Sequence, residues 1–240
     1  MKLLSTANPK IQKGSKLGYL SFILHLAPAD LGGKEVCPKR TPGCSAACLN
    51  TAGRGGMFRR GESTNVIQQA RIRKTRYFWN NRGDFMQDLV NDIVAAQRQA
   101  ARVGLTPVVR LNGTSDLAWE KYPVGGRANI FELFPDIQFY DYTKVLGRKV
   151  QHLPNYHLTF SAADGNDQDV AKAVAQGMNV ATVFDQLPET WMGRPVFNAD
   201  ETDLRFLDPK GVICGLKAKG RAKKDTSGFV RRMIPIAAAA

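Results

Sequence analysis

The chain has 240 residues, of which 43% are hydrophobic and 23% charged, and it carries a formal net charge of +13. This length buries a full core and suits one α/β domain, 1–236, better than two small ones, with the alanines of 237–240 read as a tail. Its longest apolar runs, such as 19–29 with Ser21 and His25 inside it, are too short and too polar to span a bilayer, which predicts a cytoplasmic protein without membrane contact.

Residues 1–15 read as an irregular basic lead-in, and 17–26 as a buried strand. A cysteine-rich loop follows. Past the loosening glycines 53, 55, 56 and 61, Ser63 or Thr64 caps a helix running to Asn80. A second helix opens at Asp84, with Gln87 as its capping-box partner, and Phe85, Leu89, Ile93, Ala96, Ala100 and Val103 keep helical spacing until Gly104. Strands are then expected at 108–111, 137–142, 157–160 and 180–184, with helices at 130–134 and 168–176, and weaker strands at 195–197 and 212–216. Alternating strands and helices predict a mostly parallel sheet, read here as a full or partial (β/α) barrel with the cysteine loop after its first strand.

That loop holds Cys37, Cys44 and Cys48 within twelve residues; the fourth cysteine, Cys214, is far away. Clustered thiols in a chain without a secretory signal point to a metal rather than to disulfides, with three buried, metal-free cysteines as the bland alternative. Three thiolates suit an iron–sulfur cluster, most of all a four-iron one with an open iron. Zinc is the alternative, with His25 or Cys214 as fourth ligand, although zinc sites favour closer cysteine pairs than the six-residue gap here.

The charge is confined to two stretches. Residues 53–83 carry Arg54, Arg59, Arg60, Arg71, Arg73, Lys74, Arg76 and Arg82 against Glu62 alone, and 210–232 carry eight more bases against Asp225 alone. Such patches attract phosphate, which predicts a nucleic acid or another phosphate-bearing partner. Tyr77, Phe78 and Trp79 beside Arg76 suggest stacking on bases or packing on a protein. Polar sets also close successive strands: Asn112, Ser115 and Asp116; Tyr142, Thr143 and Lys144; Ser161 and Asp164; then Asp185. In α/β proteins this rim gathers ligands. Arg110 serves either a structural ion pair or a substrate. Asp200, Glu201, Asp203 and Asp208 read as a turn-rich acidic surface rather than a cation site. Phosphate-loop, nucleophile-elbow and zinc-protease motifs are missing, so no catalytic residue is assigned.

The order of strand, cysteine loop and helix resembles the radical-SAM enzymes, although their cysteine spacing is shorter. That resemblance implies a four-iron cluster, S-adenosylmethionine at the open iron, and a cofactor border formed by Asn112, Gly113, Ser115 and Asp116, with Lys144 in the next sector. The run from Cys37 to Gly53, the segment Arg110–Asp116 and the segment Gln138–Lys144 are more similar to an uncharacterised family of phage-encoded three-cysteine proteins. This implies a phage setting in the host cytoplasm. Two function classes follow: an iron–sulfur, radical-SAM-like enzyme acting on a nucleotide or nucleic acid, and a non-catalytic zinc-containing nucleic-acid-binding module. A third, a partner within a larger phage or nucleoprotein assembly, draws on the same features.

Overall fold

A computed structural model of the protein describes residues 1–6, 13–59 and 61–233. In chain order its elements are β1 (Leu4–Ser5), β2 (Tyr19–Leu24), a short helix α1 (Pro42–Ala46), α2 (Val66–Asn80), α3 (Arg82–Arg102), β3 (Thr106–Arg110), the single turn α4 (Ile130–Leu133), β4 (Gln138–Thr143) and β5 (Tyr156–Ser161). Then come α5 (Asp167–Ala175), β6 (Val180–Phe184), β7 (Thr190–Trp191), β8 (Arg194–Asn198), β9 (Ile213–Lys217) and β10 (Val230–Arg231). The strands form one sheet in the order β1-β2-β3-β4-β5-β6-β9-β8-β7, with β10 also paired to β6. All neighbours are parallel except the edge pairs β1–β2 and β7–β8.

Alternation along the strands separates two apolar faces. Phe22, Leu24, Val109 and Phe139 pack under α3 with Phe85, Leu89, Ile93, Ala96 and Ala100, and Phe160, Val180 and Ile213 pack under α5 with Val170 and Ala173. The opposite face is covered by chain rather than by helix: Leu204 and Phe206 cross Tyr19, Val108 and Tyr140, and Ala199 meets Ala181 and Cys214.

From β2 to β6 the strands are sequential and share one helical layer, as in a barrel wall, yet the sheet stays open. The cause lies after β6, where the chain makes the β7–β8 hairpin and then inserts β9 between β6 and β8. The outermost strands, β1 and β7, are two residues long and antiparallel to their neighbours, so the edges end in stubs and do not meet. A closed barrel is therefore not formed, and the expected fold is corrected to an open α/β sheet.

Other expectations shift locally. Asn65, not Ser63 or Thr64, caps α2, because its Oδ1 accepts Ile67 and Gln68 N–H while its amide donates to the carbonyls of Arg54, Gly55 and Met57. Helix α3 begins at Arg82 without a side-chain cap, ahead of the expected capping box at Asp84. Residues 3 and 4 are not irregular: they are buried beside β2, and Asp92 of α3 accepts both backbone N–H groups at 2.6 and 2.8 Å. The tail at 237–240 lies outside the described residues.

Candidate metal centre at the cysteine loop

Parallel strands place the C-terminal ends of β2 to β6 along one rim, and the cysteine loop arises there. Ala29 adopts a left-handed φ of 55° at the turn out of β2, and its N–H points to Cys37 Sγ at 3.4 Å. Cys37 in turn donates weakly to the Thr114 carbonyl at 3.8 Å. The adjacent Val36 is buried, and its carbonyl accepts Asp116 N–H at 2.8 Å. Cys37 is thus fixed against the loop after β3.

Cys44 belongs to α1, where Thr41 is the cap and Pro42 starts the helix with a fixed φ. Asp164, at the end of β5, accepts Gly43 N–H at 2.9 Å, Cys44 N–H at 3.2 Å and the Thr41 hydroxyl. Glycine is required at position 43, since a Cβ there lies 1.9 Å from Ser227 Oγ and 2.6 Å from Asp164 Oδ1. Cys48 opens the next helical turn, with Asn50 N–H directed at its Sγ at 3.5 Å. Asn50 Oδ1 then accepts Arg71 at 2.7 Å, which holds the turn against α2.

The three thiols influence one another and share a lysine. Burial pushes Cys37 up to about 12, partly offset by the Ala29 N–H, and the nearby Cys48 pushes it further. Burial also raises Cys48, with Cys44 acting in the same direction and Lys144 and Arg71 against it. Burial disfavours the charge on Lys144, yet Cys44, Asp116 and Cys37 outweigh it and hold its pKa above the ordinary lysine value, with a hydrogen bond to Cys44 among the causes. The Lys144 ammonium is therefore the cation that the sulfurs share. Among the described residues, no three histidine, cysteine, aspartate or glutamate side chains surround one point at metal-binding distance. The donors still fit a metal by their chemistry: soft thiols that are half-buried, as these are, ionise more readily beside a cation.

The loop after β3 borders this site, but mainly through its backbone. Asn112 is 2% exposed, and its Oδ1 accepts Ser115 OH, Leu117 N–H and Trp119 Nε1–H at 2.9, 2.9 and 3.1 Å. Its Nδ2 donates to the Leu117 carbonyl and its backbone N–H to Asp141. Asn112 and Ser115 therefore shape the loop, Gly113 gives close approach to His25, and Asp116 accepts Lys144 N–H at 2.8 Å. Thr114 is the member that reaches Cys37. Sequence reasoning passed over it, as it did Thr41, because a threonine in a loop carries no signature until its partner is known.

The basic residues fall into two groups. Arg71 bonds Asn50, and Lys74 bonds the Leu3 carbonyl at 2.5 Å, so both serve the fold. Arg54, Arg59, Arg73 and Arg76 are exposed, whereas Arg60 lies outside the described residues. The aromatic run beside them is no stacking platform: Phe78 is buried among Phe85, Trp119 and Tyr122, and the Arg82 guanidinium covers Phe78, Trp79 and Tyr122 at 4.8 to 5.0 Å. Apolar burial takes Phe78 wholly into the core at the end of this packed helix, and Tyr77 and Trp79 pack half-buried against it.

The acidic cluster is corrected as well. Asp203 pairs with Arg110 at 3.1 Å, and Asp208 with Arg205 at 3.1 Å, all four on the face away from the helices. Asp208 also accepts the Cys214 thiol at 3.2 Å, and burial raises that thiol to about 12. Cys214 is thus engaged with the inner-face pair. His25 stands at the rim, where burial first and then Arg71, Arg110 and Lys74 lower it to about 3, leaving a neutral imidazole whose buried Nδ1 has no hydrogen-bond partner among the described residues.

No helix among the described residues is long and apolar enough to cross a membrane. Comparison with known proteins returned no match among curated proteins and none among solved structures. Nothing in the comparisons supports the likeness to radical-SAM barrels, and the open sheet departs from it too. The family model described as Gene product 88 matches residues 2–233, nearly the whole chain. The chain belongs to the Gene product 88 family.

Proposed function

We propose that the protein is a thiolate metal protein whose centre is held by Cys37, Cys44 and Cys48, with an iron–sulfur cluster as the group, and that it works on a phosphate-bearing partner. The supporting observation is the placing of three half-buried thiols and the Lys144 ammonium on one rim, where Cys48 raises the pKa of Cys37, Cys44 raises that of Cys48, and the lysine opposes both. Cys37 and Cys48 resist ionisation, so a cation of higher charge at the same place lowers their pKa and takes them as ligands. A cluster supplies one-electron chemistry when bound.

The chain's own residues have definable parts in this reading. Asp164 and Thr41 orient α1 and with it Cys44. Thr114 and Ala29 orient Cys37. Asn112, Ser115 and Asp116 keep the neighbouring loop in place, and Gly113 lets it approach β2. The exposed Arg54, Arg59, Arg73 and Arg76 supply attraction for phosphate.

The test is metal and sulfide analysis with an absorption spectrum on protein prepared without oxygen. Brown protein holding iron and sulfide, both lost in C37A, C44A and C48A with folding retained, is the expected result. Zinc in place of iron, lost in the same variants, turns the reading to a zinc-containing binding module. Colourless protein that takes up neither metal sinks it.

A further inference from the structure

Two clefts flank the five-residue helix α1, and both are lined with basic side chains. The first, about 330 Å³, lies between the cysteine loop and the start of α5, and its cations are Lys39, Arg40 and Lys144. The second, about 430 Å³, lies between α1 and the C-terminal segment 221–227, and its cations are Arg221 and Lys224. The basic stretch 210–232 is therefore brought to the same rim as Lys39, Arg40 and Lys144. The closeness shows at Gly43, where a Cβ would lie 1.9 Å from Ser227 Oγ of that segment and whose N–H donates to Asp164 at 2.9 Å.

The balance of charge in the clefts is positive. Of the lining cations, Lys39, Arg221 and Lys224 are exposed and form no ion pair among the described residues. Arg40 is held by Glu35 at 2.7 Å and by Asp30 at 3.4 Å. Of the two lining acids, Asp225 is turned to the Ser227 hydroxyl and to the Ser227 and Val230 N–H groups, and Asp169 faces Lys172 at 3.9 Å. Helix α5 opens into the first cleft without a side-chain cap, so its first N–H groups add to the field.

Immediately after Cys48 the rim also exposes apolar surface: Leu49 is 60%, Met57 70% and Phe58 38% exposed, with exposed Arg54 and Arg59 set among them. Cationic clefts in series beside exposed apolar side chains fit a ligand that alternates phosphates with unpaired bases. A duplex keeps its bases stacked and offers nothing to Phe58 or Met57.

We infer that single-stranded nucleic acid is the partner of this rim, its backbone crossing α1 from the Lys39–Lys144 cleft to the Arg221–Lys224 cleft and so passing over the cysteine centre. This rests on the reading of that rim as the working site, and it names the class of partner.

The test is fluorescence anisotropy of a labelled mixed-sequence single-stranded oligonucleotide, titrated with full-length protein over a range of salt. The variant K39A/R221A/K224A is compared with a charge-matched control, R102A/K149A/K210A, whose side chains precede β3, β5 and β9 on the opposite rim. The cleft variant is expected to lose at least about tenfold in affinity and to flatten the salt slope by about 2, the value for three lost phosphate contacts on a single strand. The control is expected to lose far less. Equal losses in both variants, equal binding of a duplex, or displacement by a mononucleotide at the same concentration each overturn the inference. Measuring the metal content of every sample separates the two readings: metal-free protein that still shows the cleft-specific loss keeps this inference and rejects the cluster, and metal-loaded protein without that loss does the reverse.

Discussion

Asp164 and Cys44, 120 residues apart in sequence, are joined by a hydrogen bond of 3.2 Å from the Cys44 N–H to the carboxylate. Because the same carboxylate takes Gly43 N–H and the Thr41 hydroxyl, a side chain from the end of β5 sets the position of the whole turn that carries the second cysteine. The cysteine loop is a part of the sheet's rim in energetic terms, not an appendage to it.

Removing that carboxylate leaves the α1 N–H groups without an acceptor from the sheet. D164A is expected to cost about 1.5–3 kcal/mol, the range for hydrogen bonds to a charged group, and to raise the rate of Cys44 alkylation by maleimide several-fold relative to that of Cys214. T41A removes only one of the contacts and should fall between. Alkylation at the wild-type rate in D164A shows that the loop is held by something else.

Asn112 is the hub of the neighbouring loop, and its three acceptor contacts cannot be replaced by water in a buried site. N112A leaves the Trp119 indole N–H, the Leu117 N–H and the Ser115 hydroxyl unsatisfied, so a loss of at least about 3 kcal/mol is expected in urea unfolding. Trp119 is fully buried, and its near-ultraviolet circular dichroism should weaken in the same variant. A stability change below about 1 kcal/mol contradicts the hub role.

Much of this was legible in the residues, and the parts that were not share a cause. Strand and helix periodicity located β2 to β6 and α3 because burial repeats at fixed intervals there. The polar sets at strand ends located the rim, because parallel strands must end on one side. Arg110 and Asp203 were each noticed, but not as partners, since 93 residues separate them and no local pattern encodes a contact across the sheet. The closeness of Lys144 to the cysteines is hidden for the same reason: they come from a loop about a hundred positions earlier. Three aromatics in a row do not reveal by themselves which one enters the core, so the burial of Phe78 is legible only once Phe85, Trp119 and Tyr122 are seen around it.

Asp141 predicts a pH dependence with a definite sign. The carboxyl is fully buried, and burial raises its pKa to about 7 against the opposing pull of Arg110, the Asn112 N–H, Arg148 and the Tyr156 hydroxyl. In the unfolded chain the same group titrates near about 3.9. The folded state therefore holds the proton more tightly, and the stabilisation it gives is complete below the unfolded pKa and is lost as pH rises from about 4 to about 7. The slope from one such group is at most about 1.4 kcal/mol per pH unit. D141N cannot titrate, so the difference in unfolding free energy between wild type and D141N should change across this window and level off above it. Parallel curves from about pH 4 to pH 8 show that Asp141 does not titrate there.

The inner-face pair of Arg110 and Asp203 offers the sharpest test of what holds segment 199–208 on the sheet. Both side chains are about nine-tenths buried and meet at 3.1 Å, with Tyr142 stacked under the guanidinium at 4.6 Å. Removing one partner strands a buried charge, so D203N or R110M should cost about 3–5 kcal/mol. Replacing both by apolar residues of similar volume, as in R110M/D203L, removes the uncompensated charge and should recover most of that loss, because the pair's mutual attraction is largely cancelled by its desolvation. A double variant as unstable as the sum of the single ones shows instead that the pair contributes specific packing against Leu204 and Phe206. Hydrogen exchange of the Leu204 and Arg205 amides distinguishes the cases directly: fast exchange in either single variant and slow exchange in the double one is the outcome that the buried-charge argument requires.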